Sequence, residues 1–327
     1  MSDNNAAQIK NKEKINFKSV TKILSRYGIY LAFIIMCLLF SILNPIFLTP
    51  DNIIAMLRQV SFNAILAMGM TMVILTGGID LSVGSVLAIT AVITASFVKV
   101  ANPLLPVPVA ILIGLLIGAL CGAINGFLIT KGKLAPFIVT LVMMTVARGA
   151  SQLYTTGRPI TKLLPDFDYL GKGFILGIPV PIYILALVTL VSMLILNKTK
   201  LGRYIYAVGG NEQSALASGI KVHRIKIFVY MFCGVMASLV GIVLTARLDS
   251  ASSVLGVGYE LDAIAATVIG GASMDGGKGR IIGTLIGALI IGSISNGLDI
   301  LNVSTYWQQI IKGVIILVAV LLDRKRD

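Results

Sequence analysis

The sequence carries little charge for its length. Of its 327 residues, 13% are Asp, Glu, Lys or Arg, whereas soluble domains carry about 25%. Hydrophobic residues make up 57% of the chain, and the mean hydropathy is +0.94. One core in water cannot bury so much apolar surface. The composition therefore excludes an ordinary soluble domain and indicates a chain that lives in a lipid bilayer.

The sequence is also poor in the residues that build metal and catalytic sites. Its cysteines, Cys37, Cys121 and Cys233, stand alone in apolar runs, and its single histidine, His223, lies in a basic loop. It contains no CxxC motif, no Cys/His cluster and no GxSxG or HExxH motif. We expect no catalytic residue, no metal site and no disulfide framework in this chain.

The glycine-rich stretch 270–280, GGASMDGGKGR, superficially resembles a phosphate-binding loop. Ala272 stands where the first glycine of that motif is required, and Gly279 replaces the Ser or Thr that binds magnesium. A sharp turn explains the glycines better than ATP binding, so we expect no cofactor in this chain.

Ten apolar runs are long enough to be candidate membrane helices, since a bilayer core needs about 20 residues per helix. They predict an all-α polytopic membrane protein with spans near 27–43, 53–75, 83–99, 107–129, 136–153, 175–196, 227–245, 261–274, 281–298 and 304–322. The run at 261–274 is the weakest, because it is short and starts beside two acids. A re-entrant or broken helix is the alternative there.

The basic residues give the orientation. The net charge of +13 does not indicate nucleic-acid binding, because the Lys and Arg residues lie in the short gaps between the runs. With the N-terminus inside, inner segments hold 19 of them, outer segments hold five, and Arg58, Arg148 and Lys312 fall within spans. This bias follows the positive-inside rule. We expect a cytoplasmic basic segment at 1–26, one transmembrane domain at 27–322 with a cytoplasmic loop at 197–226, and a cytoplasmic tail at 323–327.

Glycines spaced four apart mark two of the runs as packing helices, because such a stripe lets another backbone approach closely. The fourth run contains Gly114, Gly118, Gly122 and Gly126, and the ninth contains Gly283 and Gly287, preceded by Gly279. Both stripes contain the letters IGAL, followed by Asn125-Gly126 in one run and Asn296-Gly297 in the other. Spans 2–5 and 7–10 are therefore predicted to be inverted repeats, a common transporter plan.

Polar residues in membrane segments are costly and often functional. The candidates for a translocation path are Asn63, Asp80, Ser82, Asn125, Glu260, Asp262 and Asn296. Asp80 and Ser82 lie in TGGIDLSVG (76–84), and helix capping explains them as well as solute contact does. The same two alternatives hold for Glu260 and Asp262.

Three stretches carry a resemblance to a known family: TGGIDLSVGSVLAITA (76–91), LGRYIYAVGGNEQSALASGI (201–220), and 258–279, which reads GYELDAIAATVIGGAS and then, after Met274, DGGKG. With the glycine-striped runs, they are similar to the ribose, xylose and autoinducer-2 permeases of ABC importers, over almost the whole chain after residue 25. Glu212, Ala215 and Gly219 resemble the loop that docks on the ATPase, although the spacing departs by one residue from the usual Glu-Ala-Ala pattern. The resemblance implies an ATPase-coupling loop at Gly210, Asn211, Glu212, Ala215, Ala217 and Gly219.

The resemblance also implies a mechanism and partners. Two permease copies, as a homodimer, would enclose the path, a cytoplasmic ATPase would bind the ATP, and an extracytoplasmic sugar-binding protein would deliver a monosaccharide, ribose being the first candidate. The chain would lie in a bacterial plasma (inner) membrane, in contact with lipid, with both termini cytoplasmic. Another pentose, a hexose or autoinducer-2 is an alternative solute, and an ion-coupled secondary carrier or a membrane scaffold without transport is an alternative protein class.

Overall fold

A computed structural model describes residues 28–324. Their helices are α1 Gly28–Leu43, α2 Pro50–Leu75, α3 Val83–Phe97, α4 Val107–Thr130, α5 Pro136–Thr155, α6 Pro165–Lys172, α7 Val180–Lys198, α8 Lys200–Gly210, α9 Glu212–Ala217, α10 Val222–Leu248, α11 Tyr259–Ile269, α12 Ile281–Ile300 and α13 Thr305–Arg324. A 3-10 turn spans Pro45–Leu48. Four two-residue strands, β1 Ile160–Thr161, β2 Phe174–Ile175, β3 Ile178–Pro179 and β4 Ser250–Ala251, complete the list. The predicted N-terminal segment 1–26 and residues 325–327 of the predicted tail lie outside the described residues.

Local sequence explains many helix boundaries. A proline lies in the first turn of α2, α4, α5, α6 and α7, where its missing N–H has no intrahelical partner to lose. At the other end, Thr156 and Asp249 take left-handed conformations directly after α5 and α10, which ends a helix.

Each of the ten predicted apolar runs contains a helix, and six of these are long and apolar enough to cross a membrane: α2, α4, α5, α7, α10 and α12. The protein is therefore an all-α, multi-pass membrane protein. The weakest run is centred on α11, which has only 11 residues. At 1.5 Å per residue it is about 16 Å long, half of a bilayer core of about 30 Å. This length fits the broken-helix alternative.

Helices α2 and α10 form the centre of the bundle and are buried along most of their length, whereas α4, α5 and α7 expose most of theirs. Helix α10 packs against α2, α3 and α4, and α3 in turn packs against α4 and α5. Helix α2 packs against α10, α11 and α12, and α11 packs against α12 and α13. Each central helix thus packs against the other and against two helices that also pack against each other, α3 and α4 for α10, and α11 and α12 for α2.

The glycine stripes lie at the closest of these helix contacts. A methyl group on Gly118, Gly122 or Gly126 would overlap atoms of α10. A methyl group on Gly283 or Gly287 would overlap the carbonyl oxygens that end α11. Side chains larger than hydrogen would separate these backbones.

Loops predicted on the same side of the membrane lie together at the same end of the bundle. At one end, β1 pairs antiparallel with β4, and the Leu163 N–H donates to the Asp249 carboxylate at 2.7 Å. At the other end, the loops after α2 and α11 meet the end of α8. The predicted outer loop between the fifth and sixth runs contains α6. The first residues of the predicted span 175–196 belong to the β2–β3 hairpin, and helix α7 begins only at Val180.

Candidate functional site

Two glycine turns meet the end of α8 at the end of the bundle predicted to be cytoplasmic; we call this meeting point the inner junction (Leu75, Gly77, Gly209, Gly276 and Gly277). The Gly277 N–H donates to the Leu75 carbonyl at 3.0 Å. A methyl group on Gly209 would overlap that same carbonyl. Gly276 is left-handed (φ 91°), and a methyl group there would lie 2.9 Å from both the Gly209 oxygen and the Gly77 nitrogen. The junction therefore consists of backbone packed on backbone.

The inner junction connects α8 to both glycine loops. In addition, the Tyr206 hydroxyl of α8 donates to the Gly279 carbonyl at 2.9 Å. Burial raises the pKa of the Tyr206 phenol, and the nearby Arg280 opposes that rise. The phenol stays protonated at neutral pH, so it remains available as a donor that holds α8 on the loop.

Helix α9, which follows α8 directly, carries the predicted coupling-loop residues. Asn211 begins it, and the Asn211 side chain accepts from the Ser214 N–H at 2.8 Å. Glu212 pairs with Lys226 of α10 at 2.7 Å. Ala215 is buried beneath the helix, while Leu216 is 49% exposed. The exposed side chains of α9 thus include one that is large and apolar, Leu216, beside polar ones.

The other coupling-loop residues lie on the exposed side of this segment. Ala217 is exposed, and Gly219 is left-handed (φ 80°) as the helix ends. A methyl group on Gly210 or Gly219 would meet no atom within 4 Å. These two glycines border open space, in contrast to Gly209.

Two of the path candidates, Asn63 and Asp262, come together in the middle of the bundle with a third residue. The Asn63 amide donates to Asp262 Oδ2 at 3.4 Å, and Lys312 Nζ lies 3.0 Å from the same oxygen. Of the two alternatives considered for Asp262, capping fails, since no side chain caps α11. The carboxylate instead joins α2, α11 and α13.

Three other candidates form a second cluster. Asp80 Oδ1 accepts from the Ser82 backbone N–H at 2.9 Å and from the Ser82 hydroxyl at 2.6 Å. The Asn125 amide of α4 donates to the same hydroxyl at 3.0 Å. All three residues are buried. Asp80 thus stabilises the turn before α3 and connects it to α4, without capping the helix itself.

The last two candidates lie apart. Asn296 exchanges two amide hydrogen bonds of 2.9 Å with Asn52, which joins α12 to the start of α2. Glu260 accepts from the Gly258 N–H at 3.2 Å, and its other oxygen lies against Gly84. The seven candidates therefore occupy four separate places and form no continuous line through the described residues.

Sequence reasoning missed several polar contacts within the bundle. Thr71 Oγ1 lies 2.7 Å from Thr284 Oγ1 and 3.5 Å from Thr267 Oγ1, so three hydroxyls join α2, α11 and α12. Asn52 was missed as well. A lone threonine in an apolar run gives no usable signal, because its hydroxyl can also bond to its own helix.

The basic residues within spans have distinct partners. Arg148 donates to the carbonyl oxygens of Ser253 and Leu255, and Arg58 lies 4.8 Å from the centre of the Phe174 ring.

Across the residues that the structure describes, no group of three His, Cys, Asp or Glu side chains could hold a metal ion.

Comparison with known proteins identifies the family. The family model described as "Branched-chain amino acid transport system / permease component" matches residues 52–320. The ribose import permease protein of Bacillus subtilis (strain 168) is 52% identical over 318 residues, covering 96% of this chain and 97% of the relative. Its counterpart in Escherichia coli (strain K12) is 50% identical over 302 residues, covering 91% and 93%.

A more distant relative, the D-allose transport system permease protein of Escherichia coli (strain K12), is 39% identical over 300 residues, covering 91% of each chain. No solved structure gives a significant match. The family model covers most of the chain, and the relatives match it almost from end to end. This multi-pass membrane protein therefore belongs to the branched-chain amino acid transport system permease component family.

Proposed function

We propose that this chain is the permease subunit of an ATP-driven importer for a monosaccharide, with ribose as the solute. The observation that carries the proposal is the step in identity, from 52% and 50% for ribose import permeases to 39% for the D-allose protein, at similar coverage. A permease that kept its solute and partners would diverge less than one that changed them.

The proposed partners are a cytoplasmic ATPase, which binds the ATP, an extracytoplasmic sugar-binding protein and a second copy of this chain. Helix α9 is the proposed ATPase contact, with Gly210, Asn211, Glu212, Ala215, Ala217 and Gly219 as the coupling-loop residues. Its exposed Leu216 and the open space beside Gly219 support a docking role, because an apolar side chain on a water-facing helix suits a protein groove.

The inner junction supplies a mechanical route from α9 into the bundle. Movement of α9 displaces α8, because Asn211 lies between them. The end of α8 touches the turn before α3 and the turn before α12 through backbone contacts. Such contacts transmit displacement without the slack of side-chain rotation. A displacement of α9 by the ATPase would thus be transmitted to α3 and to α12 at the same time.

The proposed topology has ten spans, both termini cytoplasmic, and inverted repeats of α2–α5 and α10–α13. Packing supports the repeats: α10 with α4 corresponds to α2 with α12, and α3 with α5 corresponds to α11 with α13. Helices α3 and α11 are the short members of the two halves, with 15 and 11 residues. Broken helices at equivalent positions are typical of transporters built from inverted repeats.

Among the candidate path residues, we favour Glu260. If the path lies between two copies, its lining must be reachable from the surface of one copy, and Glu260 is partly exposed. Asn63, Asp80, Ser82, Asn125, Asp262 and Asn296 are buried inside the single chain. We propose that these six hold helices in place, and that the glycine stripes serve the same packing role.

Competition between sugars in reconstituted vesicles tests the solute. With the ATPase and binding protein present, unlabelled ribose should abolish uptake of labelled ribose, while equal concentrations of D-allose or L-arabinose should leave most of it. Stronger competition by allose or arabinose than by ribose would overturn the choice of solute.

A further inference from the structure

The β2–β3 hairpin presents an apolar tip to its surroundings. Phe174 pairs with Pro179 and Ile175 with Ile178, which leaves Leu176 and Gly177 as the turn. Leu176 is 95% exposed, and Phe174, Ile175 and Ile178 are each between 42% and 50% exposed. Four large apolar side chains within five consecutive residues are thus uncovered within a single chain.

Leucine rarely adopts the backbone conformation that Leu176 has in this turn. Leu176 and Gly177 both have positive φ, 49° and 78°. A two-residue turn of this kind favours Asn-Gly or Asp-Gly, because other side chains are strained there. The chain carries leucine where asparagine would be less strained and better solvated in water.

The chain segment that forms the hairpin and α7 carries almost no charge of its own. The stretch 173–197 contains no Asp, Glu, Lys, Arg or His. Lys172, just before it, pairs with Asp168. The hydroxyls of Tyr169 and Tyr183 donate to the Phe174 and Ile175 carbonyls at 3.2 Å and 3.0 Å. Tyrosine beside apolar residues is characteristic of the zone where a bilayer meets water.

The hairpin lies beside the helical bundle, not beyond its end. Its Phe174 ring contacts Arg58, which is eight residues into α2, a distance of about 12 Å along the helix axis. Helix α7 begins at Val180, one residue after the hairpin, and exposes Leu187, Leu190 and Leu194 along one face. The apolar tip therefore continues the surface that α7 presents to lipid.

We propose that Phe174–Ile178 is an interfacial membrane anchor, with Leu176 inserted among the lipid chains just below the headgroups of the leaflet where α7 begins. The anchor would fix the depth of α7 and, through Arg58, of α2. This inference depends on the multi-pass architecture and not on the solute or energy source.

A single tryptophan placed on the tip tests the anchor. The chain has one tryptophan, Trp307, so Leu176→Trp in a Trp307→Phe background gives an isolated fluorophore. Two matched proteins carry the tryptophan instead at Leu190, on the exposed face of α7, or at Asp166, exposed at the start of α6. All three are placed in phosphatidylcholine bilayers brominated near the headgroup or near the bilayer centre.

We expect the Leu176→Trp protein to be quenched most by bromine near the headgroup, and the Leu190→Trp protein most by bromine near the centre. The Asp166→Trp protein should respond to acrylamide in water and to neither lipid. Ile178→Trp serves as a second probe if Leu176→Trp does not fold.

Three results would overturn the anchor. Acrylamide quenching like that of the Asp166→Trp protein would place the tip in water. Loss of that quenching only after adding the extracytoplasmic partner would assign the tip to protein docking. Shielding from both bromine and acrylamide without any partner would assign it to contact between two copies of this chain.

Discussion

At the scale of the residue, neighbouring glycines have opposite requirements. Gly209 has no space for a side chain, because the Leu75 carbonyl and the Gly277 nitrogen occupy it. Gly210 meets no atom within 4 Å. The inner junction therefore requires glycine at position 209, whereas position 210 has space for a side chain.

Gly209→Ala should destabilise the protein by about 2 kcal/mol, because overpacking a tight contact typically costs 1–3 kcal/mol. It should also lower ATP-driven uptake, since α8 would separate from both glycine turns. Gly210→Ala is the matched control and should leave stability and uptake close to wild type. Thermal unfolding in detergent and vesicle uptake would measure both. Equal effects of the two substitutions would contradict the junction.

The ion pair between Asp262 and Lys312 gives a second prediction at this scale. Asp262→Asn or Lys312→Met alone should cost about 3 kcal/mol, because each leaves its partner charge unpaired in an apolar setting. The double variant should recover most of that loss, since replacing a buried pair is often neutral. Thermal unfolding of the four proteins measures the coupling. Additive losses would mean that the pair is not formed.

At the scale of the element, the short helix α9 is held by few contacts, and the pair Glu212–Lys226 is one of them. Glu212 is nearly half exposed, so the pair should contribute less than about 1 kcal/mol to stability. Its proposed importance lies in orienting α9, because the helix has six residues and one buried side chain.

Lys226→Glu should therefore lower ATP-driven uptake several-fold while leaving the unfolding temperature nearly unchanged. Exchanging both charges, with Glu212→Lys and Lys226→Glu together, should restore uptake because the pair can form again. Uptake per reconstituted complex and ATPase rate would be compared. If the exchange fails to restore uptake, Glu212 acts on the partner and not on the orientation of α9.

Hydropathy was sufficient to locate the main helices. The predicted runs at 83–99 and 107–129 correspond to α3 and α4 with ends displaced by two residues or fewer. Hydropathy could not identify α6, because this short helix lies in a segment whose polarity indicates only a loop. It could not identify the β2–β3 hairpin either, because the apolar residues of the hairpin are continuous with the apolar run of α7. Helix α11 ends five residues before its predicted end, at glycines that turn the chain.

The sequence predicted less of the candidate site than of the fold. The spacing of glycines indicated close packing, because hydrogen side chains at every fourth position have few other uses in a membrane helix. No local pattern reveals that Asn63 meets Asp262, since the residues are 199 positions apart. For the same reason, the residue type of Asp80 could not decide between helix capping and a place in the translocation path.

At the scale of the whole molecule, the two ends of the bundle differ in how they are connected. One end is joined by strand pairing and side-chain bonds between loops, and the other by the glycine turns of the inner junction. In the proposed cycle, the partner ATPase acts on the second end. The backbone contacts of the inner junction transmit the displacement of α8 to α3 and α12, while the end joined by the β1–β4 pairing does not move.

Uptake of ribose by vesicles of defined composition distinguishes an ATP-driven permease from an ion-coupled carrier. Vesicles that contain the permease, its ATPase and the binding protein should accumulate ribose only when ATP is supplied on the ATPase side, and a proton or sodium gradient should not replace ATP. Vesicles that contain the permease alone should not accumulate ribose under either condition. Accumulation by the permease alone, driven by an ion gradient, would show that the chain is a secondary carrier and not the permease subunit of an ATP-driven importer.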